Sequence, residues 1–468
     1  MKPHPLGATF LAIAAAWLLI PSSAMGQSGQ VSTTDILRER ALADSTGYGL
    51  VEDLTTRFGA RPAGSVSEAA AAHWGAGRLA AMGFAKVAIE PFPLRLWNAG
   101  TSSASVVAPG AQSLVVTPLG GSTGGSAEAP AAVFPTYADF IKSDAVVSSG
   151  KVVVILEAIA PARDGGGYSR ALAMRMAGPG EAARRGAVGY LMRSLNTQGA
   201  RTASSGATSP TETAFPAFAL SPPDAEQLER LSRAGPIRLR LASTAGWRGV
   251  GQSQNVVAEI KGSDTQAKPV LISAHLDSWE QGTGAVDDGF GLAVVTAAAK
   301  LIGDLPTPPR RTIRIVWFGS EEISQPAPVG SFAGARAYTD RHRTELANLA
   351  LVAESDGGGG KIFQLAMAGR EDSALVGRLR SALSPLGVGV SLTPPRIGEP
   401  DISVLQAAGV PAFRLMQDAT SQYDTHHNAN DVLGQIDRAA LAQNIAAWTV
   451  TLWLIADSDT ELGPDAKP

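Results

Sequence analysis

Residues 274–291 read AHLDSWEQGTGAVDDGFG, which places His275, Asp277, Asp287 and Asp288 on a glycine-rich segment. FGSEE follows with Glu321 and Glu322, ESDG with Glu354 and Asp356, and HHNAND with His426, His427 and Asp431. Three of the chain's six histidines lie in this set, and the chain has no cysteine. Imidazole and carboxylate donors without thiolates suit a divalent ion such as zinc, with manganese or cobalt as substitutes. Taken singly, each motif has an ordinary explanation. HxD alone is weak, and an acidic pair ahead of a helix is commonly a cap. An adjacent Glu pair is usually a solvated surface.

Position sets these residues apart. Strands are expected at Val270–Ala274, Thr312–Phe318, Leu349–Ala353 and Ala412–Met416, and each is followed by one of the four motifs. Helical patterns lie between or after them, around Gly291–Leu301, Gly330–Tyr338, Ser373–Leu383 and Arg438–Ala456. This alternation predicts an α/β domain with a largely parallel central sheet flanked by helices. In such a sheet, ligands bind beyond the carboxyl ends of the strands, so the four loops should share one crevice. The glycines of GTGAVDDGFG allow the backbone to turn back and bring Asp287 to His275.

Upstream, residues 34–84 are helical in pattern, Val87–Leu96 alternates like a strand, and a polar Gly/Ser-rich passage over 99–128 marks a boundary. The block from about 130 to 245 has strand signals at Lys151–Leu156, Ala187–Met192, Pro216–Leu220 and Ile237–Leu241, with helices at Glu181–Arg185 and Asp224–Arg233. It carries no acid/His set, which suits a scaffold or lid. The expected organisation is a signal peptide at 1–26, the N-terminal part of the main domain at 27–128, an inserted unit at 129–246, and the metal-bearing part at 247–468. The signal peptide is read from Lys2, the apolar run Leu6–Ile20 and the small residues up to Gly26, so the protein is expected to be exported, periplasmic or secreted, with no membrane span once the signal is removed. A net charge of −3 gives no reason to expect nucleic acid as a partner.

The ordered set HLD…GAVDDGFG…FGSEE…ESDG…HHNAND resembles the co-catalytic di-zinc aminopeptidase family, in particular its exported bacterial aminopeptidases and plasma glutamate carboxypeptidases (carboxypeptidase Q). RFGARPAGS near residue 60 looks like the family's N-terminal segment, and the inserted block resembles a smaller, β-rich protease-associated domain. The resemblance implies a zinc exopeptidase-like fold and two Zn2+ per chain. It places His275 and Asp356 on one ion, Glu322 and His427 on the other, and Asp287 between the two. Glu321 is implied as general base, and Asp277 as the acceptor that orients the His275 ring. His427 is preferred to His426 because Asp431 follows it by four residues, although either imidazole could face a metal. Glu354 and Asp288 are expected to be structural. The implied activity is hydrolysis of short peptides by an aminopeptidase or dipeptidase. Alternatives on the same scaffold are a glutaminyl cyclase or another metal-dependent amidohydrolase, and a non-catalytic receptor-like binding protein. The run Ile323-Ser-Gln-Pro-Ala-Pro-Val329 departs from the family pattern beside the expected base.

Overall fold

A computed structural model describes residues 1–2, 32–210, 214–396 and 399–460. The expected signal peptide, beyond its first two residues, lies outside them.

The central sheet has five strands, in the order Ala85–Asn98, Gly246–Ile260, Ile313–Phe318, Val270–His275, Leu351–Glu354. VLISAH and IRIVWF are nearly continuous apolar runs because both faces of these strands are covered, as parallel strands require. The last three strands run parallel. Gly246–Ile260 runs antiparallel to both of its neighbours, so the sheet is mixed rather than largely parallel. The cause is a long two-stranded ribbon: Ala85–Asn98 pairs antiparallel along Gly246–Ile260 from Ile89↔Val256 out to Trp97↔Trp247. The chain leaves the sheet on one strand of this ribbon and returns on the other.

Helices Thr33–Leu42, Thr46–Phe58, Phe290–Gly303 and Arg438–Ala456 pack into the same core as the sheet. Arg438–Ala456 is the one helix among the described residues long and apolar enough to cross a membrane, and it is buried inside this core. Its N-cap, Asp437, accepts from the amides of Ala439 and Ala440.

The expected fourth strand behaves differently from the other three. Arg414–Gln417 pairs antiparallel with Ile362–Ala366 in a separate three-stranded sheet. It pairs with the central sheet at the parallel bridge Val352↔Ala412, just before it diverges. The His426–His427 loop therefore reaches the rim from a neighbouring sheet.

Between the two strands of the ribbon lies an eight-stranded sheet built from residues between Ser102 and Ser243. The inserted unit expected from residue 129 thus recruits earlier strands, Ser102–Ala108, Gln112–Leu114 and Val116–Pro118, and residue 129 falls inside the strand Gly125–Phe134. The polar, Gly/Ser-rich passage over 99–128 is expected as a boundary, yet Ser102–Ala108 within it is a strand whose partner, Arg238–Ser243, comes from far along the chain. Such non-local pairing overrides local composition. Apolar clusters cover both faces, one around Phe134, Phe140, Tyr190 and Met192, the other around Val154, Leu191, Phe218 and Leu239.

Candidate metal centre

Sheet register sets the rim. His275 is level with Phe318, and Ser273 is level with Glu354, so Asp356 emerges beside His275. Glu321 and Glu322 follow Phe318 after Gly319 and Ser320. Ser320 takes a left-handed φ of 56°, which turns the chain sharply at the strand end. Asp287 and Asp288 precede the helix Phe290–Gly303, and His427 lies on the opposite loop.

These side chains converge. His275 Nε2 is 3.0 Å from Asp287 Oδ1 and 3.7 Å from Asp356 Oδ1. His427 Nε2 is 3.0 Å from Glu322 Oε2 and 3.3 Å from Asp287 Oδ2. The Asp287 carboxylate thus lies between the two imidazoles. All border or adjoin a cavity of about 480 Å3, which Glu321 also lines.

The electrostatics are those of a crowded anionic site. Burial pushes the Glu321 carboxyl well above its usual range, and repulsion from Glu322 and Asp356 adds to this. Glu322 is raised to about 7 by burial and by the neighbouring Asp287 charge. Burial opposes charge on His427, yet Glu322 and Asp287 lift it to about 9. His275 is likewise held well above the usual imidazole range by Asp287 and Asp356, despite burial. Asp287 shows the reverse: burial works against its ionisation, but both imidazoles hold it well below the usual carboxylate range.

Such a cluster demands cations. Asp287 Oδ2 and Glu322 Oε1 are buried without a hydrogen-bond partner, a costly state for carboxylate oxygens. Ligand atoms of His275, Asp287 and Glu322 lie within 4.8 Å of one another, as do those of His275, Asp288 and Asp356, and those of Asp287, His426 and His427. The donors are imidazole nitrogens and carboxylate oxygens, and the residues fit zinc.

Residues 255–452 match peptidase family M28. Human carboxypeptidase Q is 31% identical over 387 residues, covering 81% of this chain and 79% of that protein. Its Xenopus laevis counterpart is 31% identical over 384 residues, covering 81% and 78%. The chain belongs to peptidase family M28. Among solved structures, a Peptidase M28 precursor from Shewanella amazonensis SB2B superposes on this M28 chain with a TM-score of 0.87 at 38% identity, covering 93% of this chain and 98% of that one. The zinc aminopeptidase BSAP from Bacillus subtilis shares the fold, with a TM-score of 0.60 at 19% identity over 90% and 96% of the chains. The protein is a zinc metallopeptidase.

Around its metal centre, the M28 chain places the remaining expected residues as follows. Asp277 uses its backbone carbonyl, not its carboxylate, to accept from His275 Nδ1, at 3.0 Å; the nearest carboxylate oxygen is 3.8 Å away. That carboxylate instead accepts the amides of Glu321 and Glu322, at 3.0 and 3.2 Å. It aims the Glu-Glu pair. The Asp288 oxygens accept from the amides of His275 and Gly291. Glu354 accepts from the amides of Asp401 and Ile402. Asp431 accepts from the amide of Val286 at 2.6 Å. His426 stacks on His427 with ring centres 3.5 Å apart, and its Nε2 is 3.7 Å from Asp287 Oδ2. Of the aromatic and Arg residues near the motifs, Trp279 donates to Glu322 Oε2 at 2.6 Å, Arg414 pairs with Glu399, and Tyr423 lines the cavity.

Two contributors escape a reading by motif. Arg61, within RFGARPAGS, is fully buried beneath the metal-bearing loop. Its guanidinium donates to the carbonyls of Gly59, Leu276, Thr283 and Gly284. Gly284 has φ 61°, and a Cβ there would lie 2.7 Å from Arg61 Nη2. The second contributor is the eight-stranded unit. Ser205 donates its amide to the His427 carbonyl at 2.8 Å, and Tyr168 and Arg175, on the helix Gly166–Met176, line the cavity. The lack of an acid/His set in that block does not remove it from the site.

Proposed function

We propose that this M28 zinc metallopeptidase is an exported di-zinc exopeptidase that hydrolyses short peptides, as an aminopeptidase or dipeptidase. The observation that carries the reading is the Asp287 carboxylate, with Oδ1 3.0 Å from His275 Nε2 and Oδ2 3.3 Å from His427 Nε2. One carboxylate facing two imidazoles suits a ligand shared by two ions. His275 and Asp356 would hold one zinc, Glu322 and His427 the other, with Asp287 common to both. Zinc, when bound, supplies Lewis acidity toward a carbonyl oxygen and makes water a stronger acid.

Glu321 is the group that moves the proton. Its backbone is anchored by Asp277, and its carboxyl lines the cavity without a hydrogen bond among the described residues. A free carboxylate in that place accepts a proton from water and then delivers it to the departing amine nitrogen. Glu322, Asp356 and the imidazoles cannot share that task while they hold ions. In this reading the signal peptide at 1–26 directs export to the periplasm or medium, and the inserted unit is protease-associated-like.

A panel of free, N-blocked and C-blocked di- and tripeptides, assayed with zinc supplied, tests the proposal. Cleavage should require a free terminus, cease with chelator, and fall at least 100-fold, on the order expected for loss of a general base, in Glu321→Ala with two zinc ions still bound. Full activity in Glu321→Ala, or one zinc per chain with every peptide uncut, would refute it.

A further inference from the structure

Trp279 lies on the segment between His275 and Asp287, and its contacts reach several other parts of the chain. The residue is 6% exposed, and its Nε1 donates to Glu322 Oε2 at 2.6 Å. The indole is centred 5.6 Å from the His427 ring and 6.2 Å from the ring of Trp97, which it meets edge-on. Trp97 belongs to the ribbon strand Ala85–Asn98 and donates to the Ser122 carbonyl at 2.8 Å. Behind the indole stands Gly120 of the eight-stranded unit, where a Cβ would lie 2.1 Å from Trp279 Cη2 and 2.7 Å from Cζ3. Backbone hydrogen bonds to Gly206 and Thr208, at 3.0 and 2.8 Å, fix Gly120 in place. The ring fits there because that position has no side chain.

Glu322 has few other restraints. Its side chain meets one further donor among the described residues, His427 Nε2 at 3.0 Å, and its Oε1 is buried with no hydrogen bond. Once His427 gives Nε2 to a metal, that nitrogen no longer holds the carboxylate, and the indole N–H is the donor that remains. The kind of donor matters. An indole donates without carrying charge, whereas Arg or Lys in its place would repel a divalent cation. We infer that Trp279 is a positioning residue that holds the Glu322 carboxylate in its metal-binding orientation before the ion arrives, with Gly120 backing the ring. No hydrogen bond or ring contact joins Trp279 to His275 or Asp356 among the described residues, so the effect falls on the ion of Glu322 and His427. Through this wedge the eight-stranded unit acts on one of the two ions. A group oriented in advance binds more tightly, and loss of such a supporting contact weakens metal affinity about 10- to 100-fold.

This inference rests on the di-zinc reading above, and one experiment separates their failures. Zinc is titrated into metal-free protein against a competing chromophoric chelator, for wild type, Trp279→Phe, Gly120→Ala, Glu322→Gln and Asp356→Asn. Trp279→Phe keeps a ring and removes the N–H, whereas Gly120→Ala keeps the N–H and displaces the ring. Wild type should show two dissociation constants, and Glu322→Gln and Asp356→Asn identify which belongs to which pair of ligands. Trp279→Phe should raise the constant that Glu322→Gln raises by about 10- to 100-fold and leave the other within about 3-fold. Gly120→Ala should do the same to a smaller extent. Unchanged constants in either variant, or an equal rise in both constants as general loosening of the segment would give, overturn the inference. If Trp279→Phe does not fold, Gly120→Ala decides by the same two criteria. A wild type that takes up a single zinc defeats the di-zinc reading. The inference is then upheld if Trp279→Phe weakens that ion and overturned if it does not.

Discussion

Arg61→Met probes whether the metal site is built from beneath. Arg61 donates from Nε to the Leu276 carbonyl at 2.8 Å, from Nη1 to Gly59 and Thr283 at 2.9 and 2.7 Å, and from Nη2 to Gly284 at 2.9 Å. Three of these four acceptors lie on the segment between His275 and Asp287. Burial lowers the Arg61 pKa to about 10, still charged at neutral pH, while Asp431, Asp277, Asp288 and Asp287 favour that charge. Methionine fills much of the volume but supplies no donor. Each orphaned buried carbonyl costs about 1–3 kcal/mol, and water entering the gap recovers part of this. Loss of one partner from a buried charge network typically totals about 3–5 kcal/mol, and we expect that range here.

Set against about 5–15 kcal/mol of stability, the protein should still fold but melt about 3–6 °C lower. Zinc affinity should drop about 10- to 100-fold, as for other groups that support ligands from behind. Arg61→Lys keeps the charge but not the fork, and should fall between. Scanning calorimetry with and without zinc, together with chelator competition, reads both quantities. If Arg61→Met melts within a degree or two of wild type and holds zinc equally well, the reasoning fails.

Three further outcomes follow from the same geometry. Asp277→Ala removes the acceptor of both the Glu321 and Glu322 amides, whereas Asp277→Asn keeps one acceptor oxygen; kcat should fall in both, about 10- to 100-fold and more in Ala, with zinc content as the control. Metal-free protein should lose stability as pH rises from about 4 to 9. Asp431, Glu322 and Glu399, raised to about 7, 7 and 8, and His427, raised to about 9, all bind more protons folded than unfolded, so unfolding free energy falls with pH by up to about 1.4 kcal/mol per unit for each titrating group. A melting series that rises over that range in chelator would contradict the sign, and zinc should raise Tm most at the alkaline end. Gly206→Val should lower Tm and zinc occupancy together, because its side chain meets Arg175 and His427; unchanged occupancy would show that the inserted unit does not hold the ligand loop in place.

What could be read from the residues, and what could not, divides by the range of the interactions involved. The loops after Val270–His275, Ile313–Phe318 and Leu351–Glu354 were legible because each motif follows its strand within a few residues, and parallel register levels the strand ends. The sheet's mixed character was not legible, since local pattern does not reveal which way a strand runs beside its neighbour, and the ribbon partners Ala85–Asn98 and Gly246–Ile260 lie far apart in the chain. The Asp277 carboxylate shows the same limit at the scale of one side chain. HxD spacing brings the acid near the imidazole, but the turn at Ser320 presents two amides that claim its oxygens first. Arg175 lies further still from any local signal. It sits on the helix Gly166–Met176, in a block without histidines or an acid/His set, and meets His427 across 252 residues of chain. Composition marks residues that can bind a metal because few side-chain types do so. A residue that reaches the site from another part of the chain becomes visible only when the fold has brought it there.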